Sequence, residues 1–349
     1  MPATALAVRR HARSGKFILL AGVLCGAMLA SLPGAAAQRE LKPAEWHRQC
    51  LRVASLKPPV QDLAREPGAE RCDATELYYD TRSQPASSQR DWQKVRQCAH
   101  QNKDAAVLMM LYANGDGVMP NLNLAAKYAC SIDSPPAEMR ARLAHLGRKA
   151  GGAGGAIDLC DDVSSGERLG MCATLRERQR DKQRAAQIAA ATRHWSEKEQ
   201  LGFDIASKAL RYFAQSRYDY ETDLSGDTKR TLQVDAMAAE LDQFVNDLAD
   251  FESGKLPRFS EAEYQSLDDK LQQTYRQFMA AQPASASYLG TIRKTGVEKT
   301  QRAWLSYRDA MELFGAMKYP SAPASGWKAL VTSRRIRQLA ELDNAAAGR

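Results

Sequence analysis

The residues best equipped for covalent chemistry in this chain are its cysteines. Six of the seven, Cys50, Cys72, Cys98, Cys130, Cys160 and Cys172, fall in one stretch of the N-terminal half, and none follows Cys172. An even set confined to one region suits a disulfide framework, provided the chain reaches an oxidising compartment. Locality favours Cys50–Cys72, Cys98–Cys130 and Cys160–Cys172, with one or more free thiols as the alternative. Each bridge would stabilise by roughly 2–4 kcal/mol.

Catalytic chemistry finds little to work with. Beyond residue 37 the histidines are His47, His100, His145 and His194, and none belongs to a His-Glu-x-x-His pair. There is no Gly-x-Ser-x-Gly elbow. Cys160-Asp161-Asp162 has ligating atoms, but a helix cap beside a disulfide explains it better than a metal cluster. Gly151-Gly152-Ala153-Gly154-Gly155 lacks phosphate-cradle spacing and reads as a loop. No acid, base or nucleophile set can be assembled, so the expectation is a non-enzyme that needs no cofactor and no metal.

Export is written at the N-terminus. Arg9, Arg10, Arg13 and Lys16 precede an apolar run from Phe17 to Leu32, and Ala35-Ala36-Ala37 offers a small-residue cleavage site. The run is shorter than the ~20 residues of a spanning helix, so residues 1–37 read as a cleaved signal peptide rather than an anchor. The mature chain is then periplasmic or secreted, with no membrane span. The full chain has 49 basic and 41 acidic residues, net +8; loss of the four basic residues in 1–37 leaves net +4. That is too little bias for a nucleic-acid binder. Residues 219–269 carry net −10 and residues 270–349 net +8. Either neighbouring helices compensate each other's charge, or the acidic stretch docks a cationic partner.

The positioning elements divide in two, residues 38–178 and 179–349. In the first, Ala105, Leu108, Leu111 and Tyr112 repeat at helical spacing, Asn114-Gly115-Asp116-Gly117 ends that helix, and Pro120-Asn121 opens another carrying Leu124, Ala125 and Tyr128. Tyr112, Gly115, Gly117, Val118, Asn121, Ala125 and Tyr128 resemble the Sel-type repeat, a TPR-like helix-turn-helix. Met109 stands where that family usually has glycine. One repeat cannot bury its own apolar face, and disulfides would replace its missing neighbours.

The second part reads as five helices. A long one over residues 173–218 carries an apolar stripe of Trp195, Leu201, Ile205, Ala209, Tyr212 and Phe213. The next runs over about 229–252 with Leu241, Phe244, Val245, Leu248 and Phe251 at helical spacing. Ser260-Glu261-Ala262-Glu263 is a capping box opening a third, with Tyr264, Leu267, Leu271, Tyr275 and Phe278. After a break at Gln282-Pro283-Ala284-Ser285 come helices over about 287–316, with Gly296 a candidate kink, and 325–343. The fold class expected is all-α: a disulfide-stapled, TPR-like helical domain followed by an antiparallel helical bundle.

One helix of the bundle carries Gln301-Arg302-Ala303-Trp304-Leu305-Ser306-Tyr307-Arg308-Asp309-Ala310, and the last carries Thr332-Ser333-Arg334-Arg335 followed by Leu339. Together these resemble the lysozyme-inhibitor-like, LprI-type domain family over roughly residues 200–342. Leu267 to Tyr275 fits more weakly. Members commonly have a cysteine just after Arg-Asp-Ala and another at the start of the last helix. Met311-Glu312-Leu313 and Trp327-Lys328 stand there instead, and Trp327 would replace the bridge by packing. Gln301, Trp304 and Arg308 share a helix face. They and Arg335 read as core anchors and ion-pair formers; alternatively Trp304, Tyr307, Arg308 and Asp309 form a hot spot for a protein partner.

The resemblance implies a non-enzymatic protein-binding protein that occludes a lysozyme or other cell-wall hydrolase, with residues 314–325 as the inhibitory loop. The alternative is a structural or scaffolding envelope protein that binds through its helical repeat and inhibits nothing.

Overall fold

A computed structural model describes residues 44–63, 72–164, 166–280 and 290–347. The signal peptide expected at residues 1–37 and the break expected at Gln282-Pro283-Ala284-Ser285 lie outside them. Among the described residues there are twelve α-helices and no strand: α1 (Glu45–Val53), α2 (Ala74–Ser83), α3 (Gln89–Asn102), α4 (Ala105–Asn114), α5 (Leu122–Cys130), α6 (Pro136–Ala150), α7 (Gly166–Thr192), α8 (Glu197–Tyr220), α9 (Lys229–Glu252), α10 (Glu261–Ala280), α11 (Lys294–Lys318) and α12 (Ala324–Ala347). A 3-10 turn, Val60–Leu63, follows α1.

These helices build two apolar cores. The first takes buried side chains from Val53 to Cys172, the second from Trp195 to Leu342. Helix α7 serves both: Cys172 near its start lies in the first core, and Ile188 and Ala191 near its end pack on the second.

The first core is wrapped around α4. Every residue from Val107 to Ala113 is buried, as expected of a helix that is apolar on all sides. Gly115 ends it in the left-handed conformation, φ 75°, and the Asn121 side chain accepts from the backbone of Asn123 and Leu124 to start α5. Gly117 is required twice over: φ is 68°, and an added Cβ would stand 2.2 Å from that of Trp92. Tyr112 and Tyr128 stack across the hairpin, centroids 5.8 Å apart, and Ala125 is fully buried between the helices. Tyr112, Gly115, Gly117, Ala125 and Tyr128 thus all lie on α4, on α5 or in the turn between them.

The disulfides differ from those that locality favours. The pairs are Cys50–Cys130, Cys72–Cys98 and Cys160–Cys172, with Cα separations of 5.7, 6.1 and 5.8 Å. Only the third is the expected one. The reason is packing: α1 lies against α5, which brings Cys50 to Cys130, while α2 pairs with α3, which brings Cys72 to Cys98. A bridge between Cys50 and Cys72 would have ignored both contacts.

In the bundle, α11 runs antiparallel to both α8 and α12. Gly202 of α8 meets Met317 of α11 while Tyr220 meets Gly296, and Trp327 of α12 meets Gly315 while Arg335 meets Gln301. The capping box at Ser260 and Glu263 opens α10 as the sequence predicts, with Ser260 N donating to Glu263 Oε2 at 2.6 Å. The long helix expected over residues 173–218 is instead two. Ser196 and Glu199 form a second capping box, which ends any continuation from α7. The stripe assigned to that helix is also corrected. Leu201, Ile205 and Tyr212 are exposed, and the buried face carries Phe203, Ala206, Leu210, Phe213 and Ala214. Both faces are apolar, but Gly202 lets α11 approach so closely that an added Cβ would lie 3.0 Å from Met317 Sδ, and that contact selects the face. Gly296 does not kink α11; it lies in the first turn, against Tyr220.

Candidate protein-binding site

The motif on α11 and α12 holds the bundle together from inside. Arg335 has no solvent exposure. Its Nε donates to Gln301 Oε1 at 2.9 Å, and Nη1 and Nη2 donate to the two carboxylate oxygens of Glu221 at 2.9 and 2.6 Å. Glu221 also pairs with Arg217 at 3.3 Å, and Arg217 with Glu240, which accepts from Gln338 Nε2 at 2.8 Å. Next to Arg335, Arg334 makes a two-point contact with Asp247. Trp304 is 1 % exposed, and the buried Tyr307 stacks on Phe213 at 5.9 Å. Burial drives the Tyr307 hydroxyl well above the ordinary phenol range.

Gln301, Trp304, Tyr307 and Arg335 are therefore core residues, out of reach of a partner that meets the folded surface. Arg308 lies over the Trp304 ring at 5.5 Å and pairs with Asp309 at 2.8 Å and, more distantly, with Asp268 of α10 at 3.7 Å. Asp309 is exposed. The hot-spot reading of Trp304 and Tyr307 fails on burial.

Five of the fourteen acids in residues 219–269 are paired with arginines of the bundle and of α7. Glu221, Glu240, Asp242, Asp247 and Asp268 meet Arg335, Arg217, Arg184, Arg334 and Arg308 respectively. Charge compensation between helices accounts for these five, while Asp219, Asp227, Asp235, Glu261, Glu263 and Asp269 are exposed. Cys160, in turn, is bridged, while Asp161 Oδ2 accepts from the backbone of Asp158 and Asp162 meets His145 at 3.2 Å.

A presented surface exists at one end of the bundle. There the α11–α12 turn, residues 319–323, meets the α7–α8 turn and the end of α9. Glu252, the last residue of α9, accepts from the Tyr319 hydroxyl at 2.6 Å and from Trp195 Nε1 at 3.5 Å. Burial and the Glu252 charge push the Tyr319 phenol up. Tyr319 stacks on Trp327 at 5.6 Å, and Trp327 abuts Phe251 edge-on at 4.9 Å. Lys318 pairs with Glu199 at 2.9 Å and lies 4.7 Å over the Trp195 ring. Behind the turn, Ser325 Oγ donates to the carbonyl of Phe259 at 3.0 Å. Pro320, Ser321 and Pro323 remain exposed on this anchored base.

No cysteine bridge ties α11 to α12 here. Trp327 is fully buried and lies flat on Gly315, where an added Cβ would come within 2.2 Å of the indole. Lys328 and Glu312 add an ion pair between the same helices at 2.8 Å.

The family model for lysozyme inhibitor LprI matches residues 252–339. The LprI match covers about a quarter of the chain, from Glu252 through α10 and α11 to Leu339. It includes the α11–α12 turn and every residue of the Gln301 to Arg335 motif, and it does not extend to the α4–α5 hairpin. No curated protein matches the chain. No solved structure matches it either.

Glu221 and Glu240, the counter-charges of the buried arginines, lie outside the LprI match. Helices α10 to α12 alone would leave Arg335 without a carboxylate, so α8 and α9 complete the unit. Neither acid was singled out by the sequence pattern, because a buried glutamate looks the same as its solvated neighbours in a stretch of acids. Glu252, Trp195 and Tyr319 were equally inconspicuous as a set; each sits at the edge of a different helix and only the fold joins them.

Proposed function

We propose that this protein is an exported, non-enzymatic protein-binding protein of the lysozyme-inhibitor type, and that the α11–α12 turn is the element it inserts into the cleft of a muramidase or other envelope hydrolase. The observation that carries this reading is the coincidence of the LprI match with a short exposed turn whose base is fixed by Glu252, Tyr319 and Trp327. A pre-anchored turn loses little conformational entropy on binding, which is how rigid inhibitory loops gain affinity. The three disulfides suit the periplasm or an extracellular space. In this reading residues 1–37 are removed on export, residues 38–178 form a stapled domain with a Sel-type hairpin, and residues 179–349 form the inhibitor-like domain.

Isothermal titration of the purified protein with lysozyme tests this. A one-to-one complex at micromolar affinity or tighter, persisting at physiological salt, is the expected result. Persistence in salt follows because the exposed residues of the turn, Pro320, Ser321 and Pro323, carry no charge for salt to screen. Absence of binding at tens of micromolar would rule out a muramidase as the target.

The pairing of five of the acids with arginines favours a second reading. With those acids held inside the bundle, less charge is left to attract a cationic enzyme, and the α4–α5 hairpin is then the binding surface of a scaffolding envelope protein that inhibits nothing. A protein that recovers envelope partners through residues 38–178 but leaves lysozyme unbound would match it.

A further inference from the structure

A different part of the bundle holds positive charge that the fold does not neutralise. Arg184, Arg217, Arg308, Arg334 and Arg335 each meet a carboxylate. Arg178 of α7, Arg211 of α8 and Arg230 of α9 do not, among the described residues, yet all three line one cleft of about 560 Å3. Arg230 instead donates to the Tyr218 hydroxyl at 3.0 Å and approaches Thr174 Oγ1 at 3.5 Å, so its side chain is held in place by neutral groups. Arg178 and Arg211 are exposed at the rim. Two carboxylates share the cleft. Glu177 is bound by Arg184 and by Arg180 at 3.3 Å, and Asp181 lies 3.4 Å from Arg184. Both carboxylates are thus engaged by arginines other than the three.

The floor is apolar. Val234 and Leu241 are buried beneath the arginines, with Met237 partly buried beside them. Cleft volume falls within the range of small-molecule sites. Guanidinium groups are the side chains best matched to the paired oxygens of a carboxylate or phosphate. Three of them over a low-dielectric floor concentrate anions locally.

We propose that this cleft binds a small organic anion, its phosphate or carboxylate held by Arg178, Arg211 and Arg230 and its apolar part resting on Val234, Met237 and Leu241. The site is separate from the α11–α12 turn and does not depend on the lysozyme reading.

Calorimetric titration of the purified protein with octyl phosphate, octanoate, inorganic phosphate and octyl glucoside, below their micellar concentrations, tests it and separates the two head groups. Saturable one-to-one binding of octyl phosphate or octanoate is expected, at least tenfold tighter than inorganic phosphate, with none for the neutral glucoside. Arg178→Gln and Arg211→Gln break no internal ion pair, so each should keep the parent circular dichroism and melting temperature while weakening the anion about tenfold. The proposal is overturned by no binding of either amphiphile at millimolar concentration, by unchanged affinity in both variants, or by equal binding of the glucoside or of inorganic phosphate.

Discussion

Arg335, midway along α12, and Glu221, at the C-terminal end of α8, form a two-point ion pair in which neither side chain reaches solvent. A carboxylate at a helix C-terminus faces the negative end of the dipole, and burial adds a desolvation cost. The guanidinium offsets both, and Gln301 takes the remaining Nε proton. The pair therefore couples the last helix to α8 in a manner that depends on both partners being present.

Removing one partner should be costly. Arg335→Met leaves Glu221 buried with Arg217 as its one remaining cation, and we expect a loss of about 3–5 kcal/mol in urea denaturation. Arg302→Gln removes one side of an exposed i,i+4 pair with Glu298 and should cost under about 1 kcal/mol. Equal losses in the two variants would show that the buried pair has no special structural weight.

Tight packing of Trp327 on Gly315 makes a second prediction. A methyl at residue 315 would collide with an indole already fixed by Phe251 and Tyr319. Gly315→Ala should lower stability by about 1–3 kcal/mol through overpacking, and Trp327→Ala by about 3–5 kcal/mol through loss of the side chain. Thermal denaturation of both variants checks this; a neutral Gly315→Ala would mean the indole can shift.

Bridges of different span should differ in worth. Cys50–Cys130 joins residues 80 apart and Cys160–Cys172 residues 12 apart. The chain-entropy estimate is about 4.5 kcal/mol for the first and about 3 kcal/mol for the second. Paired Cys→Ala variants, compared by denaturant titration, should rank in that order. The reverse order would point to native-state strain or residual unfolded structure instead.

Acid should loosen the base of the turn. Glu199 is held at a pKa of about 2 by the backbone N–H of Ser196, the Lys318 ammonium and the Ser196 hydroxyl. A carboxylate depressed in the folded state stabilises fully above its unfolded pKa and progressively less as pH falls through the folded value. The contribution is thus complete above about pH 4.5 and lost toward pH 2. Glu199→Gln should be less stable than the parent at neutral pH, and the gap between them should narrow over that window. A gap constant from pH 5 to pH 2 would remove Glu199 from the anchor.

Much of the helical order is legible in local signals. Ser260 and Glu263 mark the start of α10, and the Leu241 to Phe251 periodicity marks the buried face of α9. The Ser196–Glu199 box carries the same signal, and overlooking it merges α7 with α8. The face of α8 is a different matter. Leu201, Ile205 and Tyr212 compete on equal apolar terms with Phe203, Leu210 and Phe213, and only the close approach of α11 at Gly202 decides between them. Disulfide partners follow the docking of α1 on α5, which no local pattern encodes. The Gln301 to Arg335 motif is readable as a motif, but its counter-charges at Glu221 and Glu240 lie in an acidic stretch where nothing local separates a buried carboxylate from a solvated one. The three arginines of the cleft come from three helices and have no shared sequence signature.

The most direct measurement is the steady-state rate of a lysozyme on cell-wall substrate, titrated with the purified protein and with its Ser321→Trp variant. Ser321 is exposed at the tip of the α11–α12 turn, so the substitution adds bulk there without touching the core. Micromolar or tighter inhibition by the parent, weakened at least tenfold by the variant, is the predicted result. Full enzyme activity at tens of micromolar parent protein, or inhibition that the variant leaves unchanged, would contradict it.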